Sequence, residues 1–191
     1  IKKMRILNCI TDFNHYFSAQ TLHPQVAVAE LFRADFSLFD TKVYDMYALI
    51  MIDGVFGELI RDGKPLPYTK GSLVTIRPGQ SIEMKMDYTT KPQGWMLAFK
   101  PELLEKTGLG RDFYMFSYFN ADYTEAIRLS DMEYGVIRNC FANLYAELNT
   151  PKDHLSGQMI RLGIGTLLSY VKRYFENQHS MVTAKGETMA A

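Results

Sequence analysis

Excess charge of either sign is what this 191-residue chain lacks most plainly: 21 Lys and Arg are matched by 21 Asp and Glu, for a formal net charge of +0. A domain that wraps nucleic acid draws most of its affinity from neutralising phosphates and carries a basic excess. That excludes these residues as the DNA-contacting part of a protein. The balance is even along the chain, with 12 basic and 10 acidic side chains in residues 1–100 and 9 and 11 in residues 101–191. A basic arm or an acidic tail is therefore excluded as well. Cysteine is scarce: Cys9 and Cys140 stand far apart and form neither a metal spacing nor a disulfide framework. A reduced, cytoplasmic setting is the expectation. No apolar run approaches the roughly 20 residues of a membrane span, so no membrane partner is expected. The opening residues Lys2, Lys3, Met4, Arg5, Ile6 and Leu7 lack an adequate secretory apolar stretch. A start at Ile1 rather than Met leads us to expect a piece of something longer. With 47% hydrophobic and 22% charged residues, a packed core is within reach and global disorder is excluded.

Catalytic signatures are missing too. The chain has no G-x-S-x-G, no H-E-x-x-H and no P-loop, and Gly108-Leu109-Gly110 lacks the third glycine of a dinucleotide fingerprint. The histidines His15, His23, His154 and His179 are isolated from one another, and no candidate strand carries one. They read as surface or hydrogen-bonding residues, so neither a metal nor a cofactor is expected. Cys140 falls on an apolar helical stripe and reads as a small core residue rather than a nucleophile. No residue is assigned a catalytic role, and the chain is not expected to be an enzyme.

The pattern that is present changes near residue 100. Before it, turn signals recur every 8–12 residues between short runs rich in Val, Ile, Tyr, Phe and Met, which predicts a β-sandwich or barrel. The clearest strand is 81–87, with Ile82, Met84 and Met86 on one face and Glu83, Lys85 and Asp87 on the other. Residues 44–52 are apolar on both faces and predict a central strand. Residues 55–60 end in Asp62-Gly63, a type I′ hairpin signal because glycine accepts positive φ. Residues 73–76 and 95–99 complete at least five strands, punctuated by Gly71 and Pro78-Gly79.

After residue 100 the period is helical. Pro101 suits a first helical position, and Gly108 and Gly110 are expected to end that helix. Ser130-Asp131-Met132-Glu133 is a capping box. Behind it, Met132, Val136, Ile137, Cys140, Phe141, Leu144, Tyr145 and Leu148 follow helical spacing until Asn149-Thr150-Pro151. A second long helix is predicted over about 153–175, with Ile160, Ile164, Leu168, Val171 and Phe175 on one stripe. Leu155, Met159 and Leu162 widen its apolar arc beyond what one barrel face covers, which predicts a homodimer. The short loop makes the two helices an antiparallel pair. Gly157, Gly163 and Gly165 cost this helix roughly 1 kcal/mol each against Ala, a cost expected where another helix approaches closely. From Asn177 onward the polar, small residues predict a linker or frayed end.

What remains is a binding argument. A small barrel is either plugged by its own side chains or holds one ligand. The interior candidates Tyr47, Met51, Met84, Met86, Trp95 and Met96 are soft and aromatic, able to repack around a ligand or simply to fill the core. Asp53, Glu58 and Arg77 stand beside turns, as polar anchors or as solvated charge. Period two forbids Trp95 and Met96 from facing the same way, and the sequence leaves open which of them points inward.

The stretch Gly71-Ser72-Leu73-Val74-Thr75-Ile76-Arg77-Pro78-Gly79-Gln80-Ser81-Ile82 resembles the glycine–strand–Pro-Gly segment of cupin barrels. More narrowly it resembles the N-terminal regulatory domain of AraC-family transcription regulators, where that segment usually ends in a histidine; here the place is taken by Ile82. Gly94-Trp95-Met96-Leu97-Ala98-Phe99-Lys100-Pro101-Glu102-Leu103-Leu104 also matches, as do Leu129-Ser130-Asp131-Met132-Glu133 and Arg173-Tyr174-Phe175. The resemblance covers roughly residues 20–178. It implies a mainly β fold with C-terminal helices: a cupin-like barrel (double-stranded β-helix, or jelly-roll) followed by an antiparallel helix pair. The implied organisation is an N-terminal arm at 1–20, the barrel at 21–110, a helical dimerisation region at 111–178, and a linker at 179–191 towards a helix-turn-helix domain. DNA would be contacted only through that further domain.

By the same resemblance the barrel senses a small-molecule effector, possibly a carbohydrate, through Tyr47, Met51, Asp53, Met84, Trp95 and Met96. Leu155, Met159 and Leu162 are the expected dimer contacts. Ile82 in place of the histidine removes a ligand that metal-dependent cupins need. A metal-dependent cupin enzyme and a purely structural dimerisation domain are the alternatives.

Overall fold

The strand at Tyr47–Ile52 is apolar on both faces, and both faces are covered. That requirement organises the layers around it. The computed structural model describes residues 4–35, 41–86 and 89–189. In chain order the elements are β1 (Met4–Leu7), α1 (Ile10–Tyr16), β2 (Val26–Glu30), β3 (Thr41–Tyr44), β4 (Tyr47–Ile52), β5 (Gly57–Arg61) and β6 (Lys64–Pro65). They continue with β7 (Ser72–Ile76), β8 (Ser81–Met86), β9 (Gly94–Phe99), α2 (Gly108–Arg111), β10 (Ile127–Arg128), α3 (Asp131–Asn149) and α4 (Ser156–Met189). The strands form two five-stranded sheets, ordered β1-β3-β8-β5-β6 and β10-β7-β4-β9-β2. Among the described residues every pairing is antiparallel except that of β1 with β3.

Period two then sorts the second sheet's side chains. Ala48, Ile50, Ile52, Val74, Ile76, Met96 and Ala98 pack against Leu59 and Ile82 of the first sheet, with Met84 and Met86 beside them. Leu49, Met51, Leu73, Leu97 and Phe99 face the other way, into a second core closed by α3 and α4. The result is three layers, sheet on sheet on helices. With about 39% helix and 26% strand the protein is mixed α/β rather than mainly β. Most of that helix is α3 and α4, whose lengths are 19 and 34 residues.

Local signals hold where the chemistry is local. Asp62 and Gly63 take φ of 50° and 76°, and Arg61 pairs with Lys64 across them, a two-residue hairpin with both φ positive. Ser130 accepts from the Glu133 backbone N–H while the Glu133 carboxylate accepts from Ser130 N–H, closing the capping box of α3. On α3, Ile137, Phe141, Leu144 and Leu148 are buried, but Met132 is 82% exposed and Tyr145 36%, so the buried stripe is narrower than its sequence period. On α4, Ile160, Ile164, Leu168, Val171 and Phe175 are all buried, joined by Leu167. Glu133 lies near Tyr174, and a Cβ on Gly163 would stand 2.7 Å from Leu144 Cδ2. Those pairings run in opposite directions along the two helices, so the pair is antiparallel. Gly163 marks its close approach; Gly165 faces Leu109, while Gly157 meets only Arg161 of its own helix.

Four expectations are corrected. Of the arm expected at 1–20, the described residues 4–20 pack on the body: β1 adds to the first sheet, and α1 buries Ile10, Phe13 and Tyr16 in the inter-sheet core. Pro101 opens only a three-residue 3₁₀ turn, Pro101–Leu103, and Gly108 and Gly110 lie inside α2 rather than ending a helix. The strand expected over 44–52 breaks after Tyr44. Finally, the linker expected from Asn177 is helix as far as Met189. Extending an existing helix requires ordering only one residue per new hydrogen bond, and Met181, Ala184, Lys185, Glu187 and Met189 are good helix formers. β10 lies within the region expected to be helical and completes the second sheet against β7. Asp87 lies outside the described residues.

Candidate functional site

The six residues expected to meet an effector fall on two faces of the second sheet. Met96 points between the sheets, fully buried, and Met84 reaches the same core from the first sheet, half-buried. Tyr47 and Met51 point the other way, towards the helices rather than into the expected space between the sheets, and Trp95 joins them there. Trp95 meets Tyr145 of α3 edge-on, with centroids 5.4 Å apart, and Tyr47 packs on Phe99, Phe113 and Phe119. The open question at 95 and 96 is thus settled by which face of β9 the helices cover. Asp53 hydrogen-bonds Tyr134 of α3 and lies 3.9 Å from Lys70 Nζ. Burial and that carboxylate push the Tyr134 phenol up to about 12, so Tyr134 is the donor and ties the end of β4 to α3. Glu58 pairs with Lys85 on the exposed side of the β5–β8 ladder, as solvated charge.

The inter-sheet side chains leave little slack: Ile50, Ile52, Met96 and Ala98 have no exposed surface. Polar chemistry gathers instead at one end of the sandwich. There the β5–β6 hairpin, the turn from β7 to β8 and residues 120–124 enclose a cleft of about 420 Å³. Arg61, Lys64 and Arg77 line it together with Gln80 and Tyr123. Arg61 is 8% exposed, with Nη1 donating to the Thr75 carbonyl at 3.3 Å and Nη2 to the Tyr123 carbonyl at 3.0 Å. Its guanidinium carbon also sits 4.1 Å from the Tyr123 ring centroid. The hairpin is pinned to the neighbouring turn: Gln80 Nε2 donates to Asp62 Oδ2 at 2.9 Å, and Gln80 Oε1 accepts from Arg77 N–H at 3.0 Å. These bonds tie the backbone at Arg77 to the hairpin turn that follows Arg61.

The wall of the cleft is bonded to the helical layer. Thr75 N–H donates to Tyr123 Oη at 2.9 Å, and Thr75 Oγ1 bonds both Tyr123 Oη and the Tyr118 carbonyl. Tyr118 Oη in turn donates to the Leu168 carbonyl of α4 at 2.8 Å. Burial holds the Tyr118 phenol well above its ordinary pKa, so it remains a donor. Tyr123 also packs against Phe175 of α4, with centroids 6.2 Å apart.

The start of α4, with Leu155 just before it, exposes large apolar side chains. Leu155, Met159 and Leu162 are 46%, 50% and 58% exposed, although Ile160 and Ile164 beside them are buried. Met159 and Leu162 border a groove of about 260 Å³ against Cys140 and Leu144 of α3, and Leu162 also borders a larger one against Leu109. Burial pushes the Cys140 thiol up, which suits packing and not nucleophilic attack. Among the described residues no three His, Cys, Asp or Glu side chains are placed to hold a metal ion, and no helix is long and apolar enough to cross a membrane.

Arg61, Lys64, Gln80 and Tyr123 were not singled out by sequence. The usable signal was Arg61 itself, a charge on the same strand face as the inward Leu59. Residues 61, 77 and 123 are separated by whole elements, and no local pattern joins them. No family model and no curated protein matches this chain.

Proposed function

We propose that this chain is the effector-sensing and dimerisation part of a bacterial transcription regulator of the AraC type, cytoplasmic, with DNA contacted by a domain outside these residues. The observation that carries the reading is the exposed arc of Met159 and Leu162 on α4 and Leu155 just before it, on a helix whose other stripe is buried. Three large apolar side chains at the start of that helix form a surface that a second copy of this chain would cover. The resemblance of residues 71–82 and 94–104 to that family supports the sensing half, as does the order of two sheets followed by an antiparallel helix pair. In this reading the two-sheet body is the cupin-like barrel. Met84 and Met96 keep inward positions, while Tyr47, Met51 and Trp95 stand where the sheet meets the helices. Asp53, bonded to Tyr134, would report a shift of β4 to α3.

An effector can bias such a module only through its differential affinity for two arrangements of sheets and helices. Sedimentation of the chain from low to high micromolar concentration tests dimerisation, and thermal shift across sugars and metabolites tests sensing. A monomer throughout, with no stabilisation by any compound, overturns the proposal. A purely structural dimerisation domain is the second reading, favoured by the filled space around Ile50, Ile52, Met96 and Ala98. A dimer that no compound stabilises would select it.

A further inference from the structure

The cleft at the end of the sandwich has a charge balance that the fold does not use. Arg61, Lys64 and Arg77 line it against Asp62 and Asp122, three cations to two carboxylates, one positive charge in excess. Asp62 is already committed as an acceptor to Gln80 Nε2 and Ser81 N–H. Among the described residues no carboxylate lies within salt-bridge distance of Arg61, Lys64 or Arg77. Arg61 is nonetheless mostly buried. A guanidinium is expensive to remove from water without an anion. Two backbone carbonyls occupy two of its five donors, and the Asp62–Gln80–Arg77 bridge holds the second guanidinium-bearing residue beside it. This is a cationic corner built around a buried guanidinium held by two carbonyls.

We propose that this cleft binds a small metabolite carrying one oxyanion, a carboxylate or a phosphate monoester, on a polyhydroxyl body. Planar guanidinium groups match either oxyanion with paired hydrogen bonds. Lys64 supplies a third charge from the exposed hairpin. Asn120, Asp122 and Thr124 on the opposite wall offer an amide, a carboxylate and a hydroxyl to bond the ligand's hydroxyl groups. The volume of about 420 Å³ is of monosaccharide scale. Tyr123 joins the cleft to α4: its carbonyl receives Arg61, its hydroxyl bonds Thr75, and its ring meets Phe175. The inference rests on the sensing reading above and names the site and chemical class of the effector.

The test is isothermal titration of the chain at low ionic strength with glucose 6-phosphate, gluconate, inorganic phosphate and neutral glucose. Arg77→Gln and Lys64→Gln are the site variants, and Lys91→Gln is the charge-matched control. Lys64 is exposed and Arg77 half-buried, with the Arg77 backbone bond to Gln80 kept in the variant; Arg61 is left alone because it is buried. Saturable binding of glucose 6-phosphate or gluconate is expected, weakened about tenfold by either site variant and unchanged by Lys91→Gln. The tighter of the two probes identifies the headgroup as phosphate or carboxylate. The inference is overturned if no anionic probe binds more tightly than about 1 mM, or if Arg77→Gln and Lys64→Gln bind as the parent does. Binding of neutral glucose unaffected by Arg77→Gln would leave the sensing proposal standing while sinking this one.

Discussion

Thr75 is the joint between the cleft and the helical layer, and a pair of substitutions there separates two accounts of what holds it. The residue is 1% exposed in the middle of β7. Its hydroxyl bonds the Tyr118 carbonyl at 3.1 Å and also Tyr123 Oη. Thr75→Val keeps the shape and swaps the hydroxyl for a methyl. The buried Tyr118 carbonyl then loses that partner, costing roughly 1–3 kcal/mol, and loss of the bond to Tyr123 costs about 1 more. The added methyl returns about 1 kcal/mol of apolar burial. The net expectation is a loss of about 2 kcal/mol. Thr75→Ser keeps both hydroxyl bonds and sheds one methyl, for about 1 kcal/mol. Serine should therefore be the milder change, although valine is the better strand former. Urea unfolding measures it: with a slope near 2 kcal/mol per molar, valine should lower the midpoint by about 1 M and serine by about half that. Tyr123→Phe combined with Thr75→Val should cost less than the two singles added together, because they share a bond. If the valine variant matches the parent, or outlasts the serine variant, packing and strand propensity rather than the hydroxyl network hold this joint.

Gly94 takes φ of +136°, and a Cβ there would stand 1.9 Å from the Met51 carbonyl oxygen. Gly94→Ala is therefore expected to cost about 3 kcal/mol or more, read as a large drop in melting temperature. Leu162→Glu places a charge on the exposed arc of α4; sedimentation should show a monomer, with urea stability of the folded chain changed by less than about 0.5 kcal/mol. Burial first, with Lys152 and Arg161 nearby, holds the His23 imidazole below its ordinary pKa. Its Nδ1 accepts from Gln25 N–H at 3.0 Å, which requires the uncharged ring. The folded pKa lies below the unfolded value of about 6.5, so the His23 contribution is complete above that pH and is lost as pH falls below it and through the lower folded pKa. His23→Gln should flatten the fall in urea midpoint between pH 7.5 and pH 5.5, and an unchanged slope would count against this assignment.

How much was legible follows the range of the chemistry. The Asp62-Gly63 hairpin, the Ser130–Glu133 capping box and the Ile160–Ile164–Leu168 stripe each depend on residues within a turn or two of one another. Each is written into the amino-acid order. The alternation of Ile82, Met84 and Met86 likewise foretold their shared face. The same alternation said that Trp95 and Met96 must part, but both faces of β9 are buried, one under a sheet and one under helices, so neither side is marked by polarity. The place of α1 was hidden for a related reason. Seven residues are too few for a firm helical period, and their apolar face earns its burial only against strands that arrive later in the chain. The cleft was the least legible feature. Arg61, Arg77 and Tyr123 come from separate stretches, and what brings them together is the register of β5, β7 and β8 and the path of residues 113–124 across them. Local order selects turns, caps and faces because those depend on short-range sterics and hydrogen bonds. Juxtaposition across elements belongs to packing, where distant residues meet once buried surfaces have found their partners.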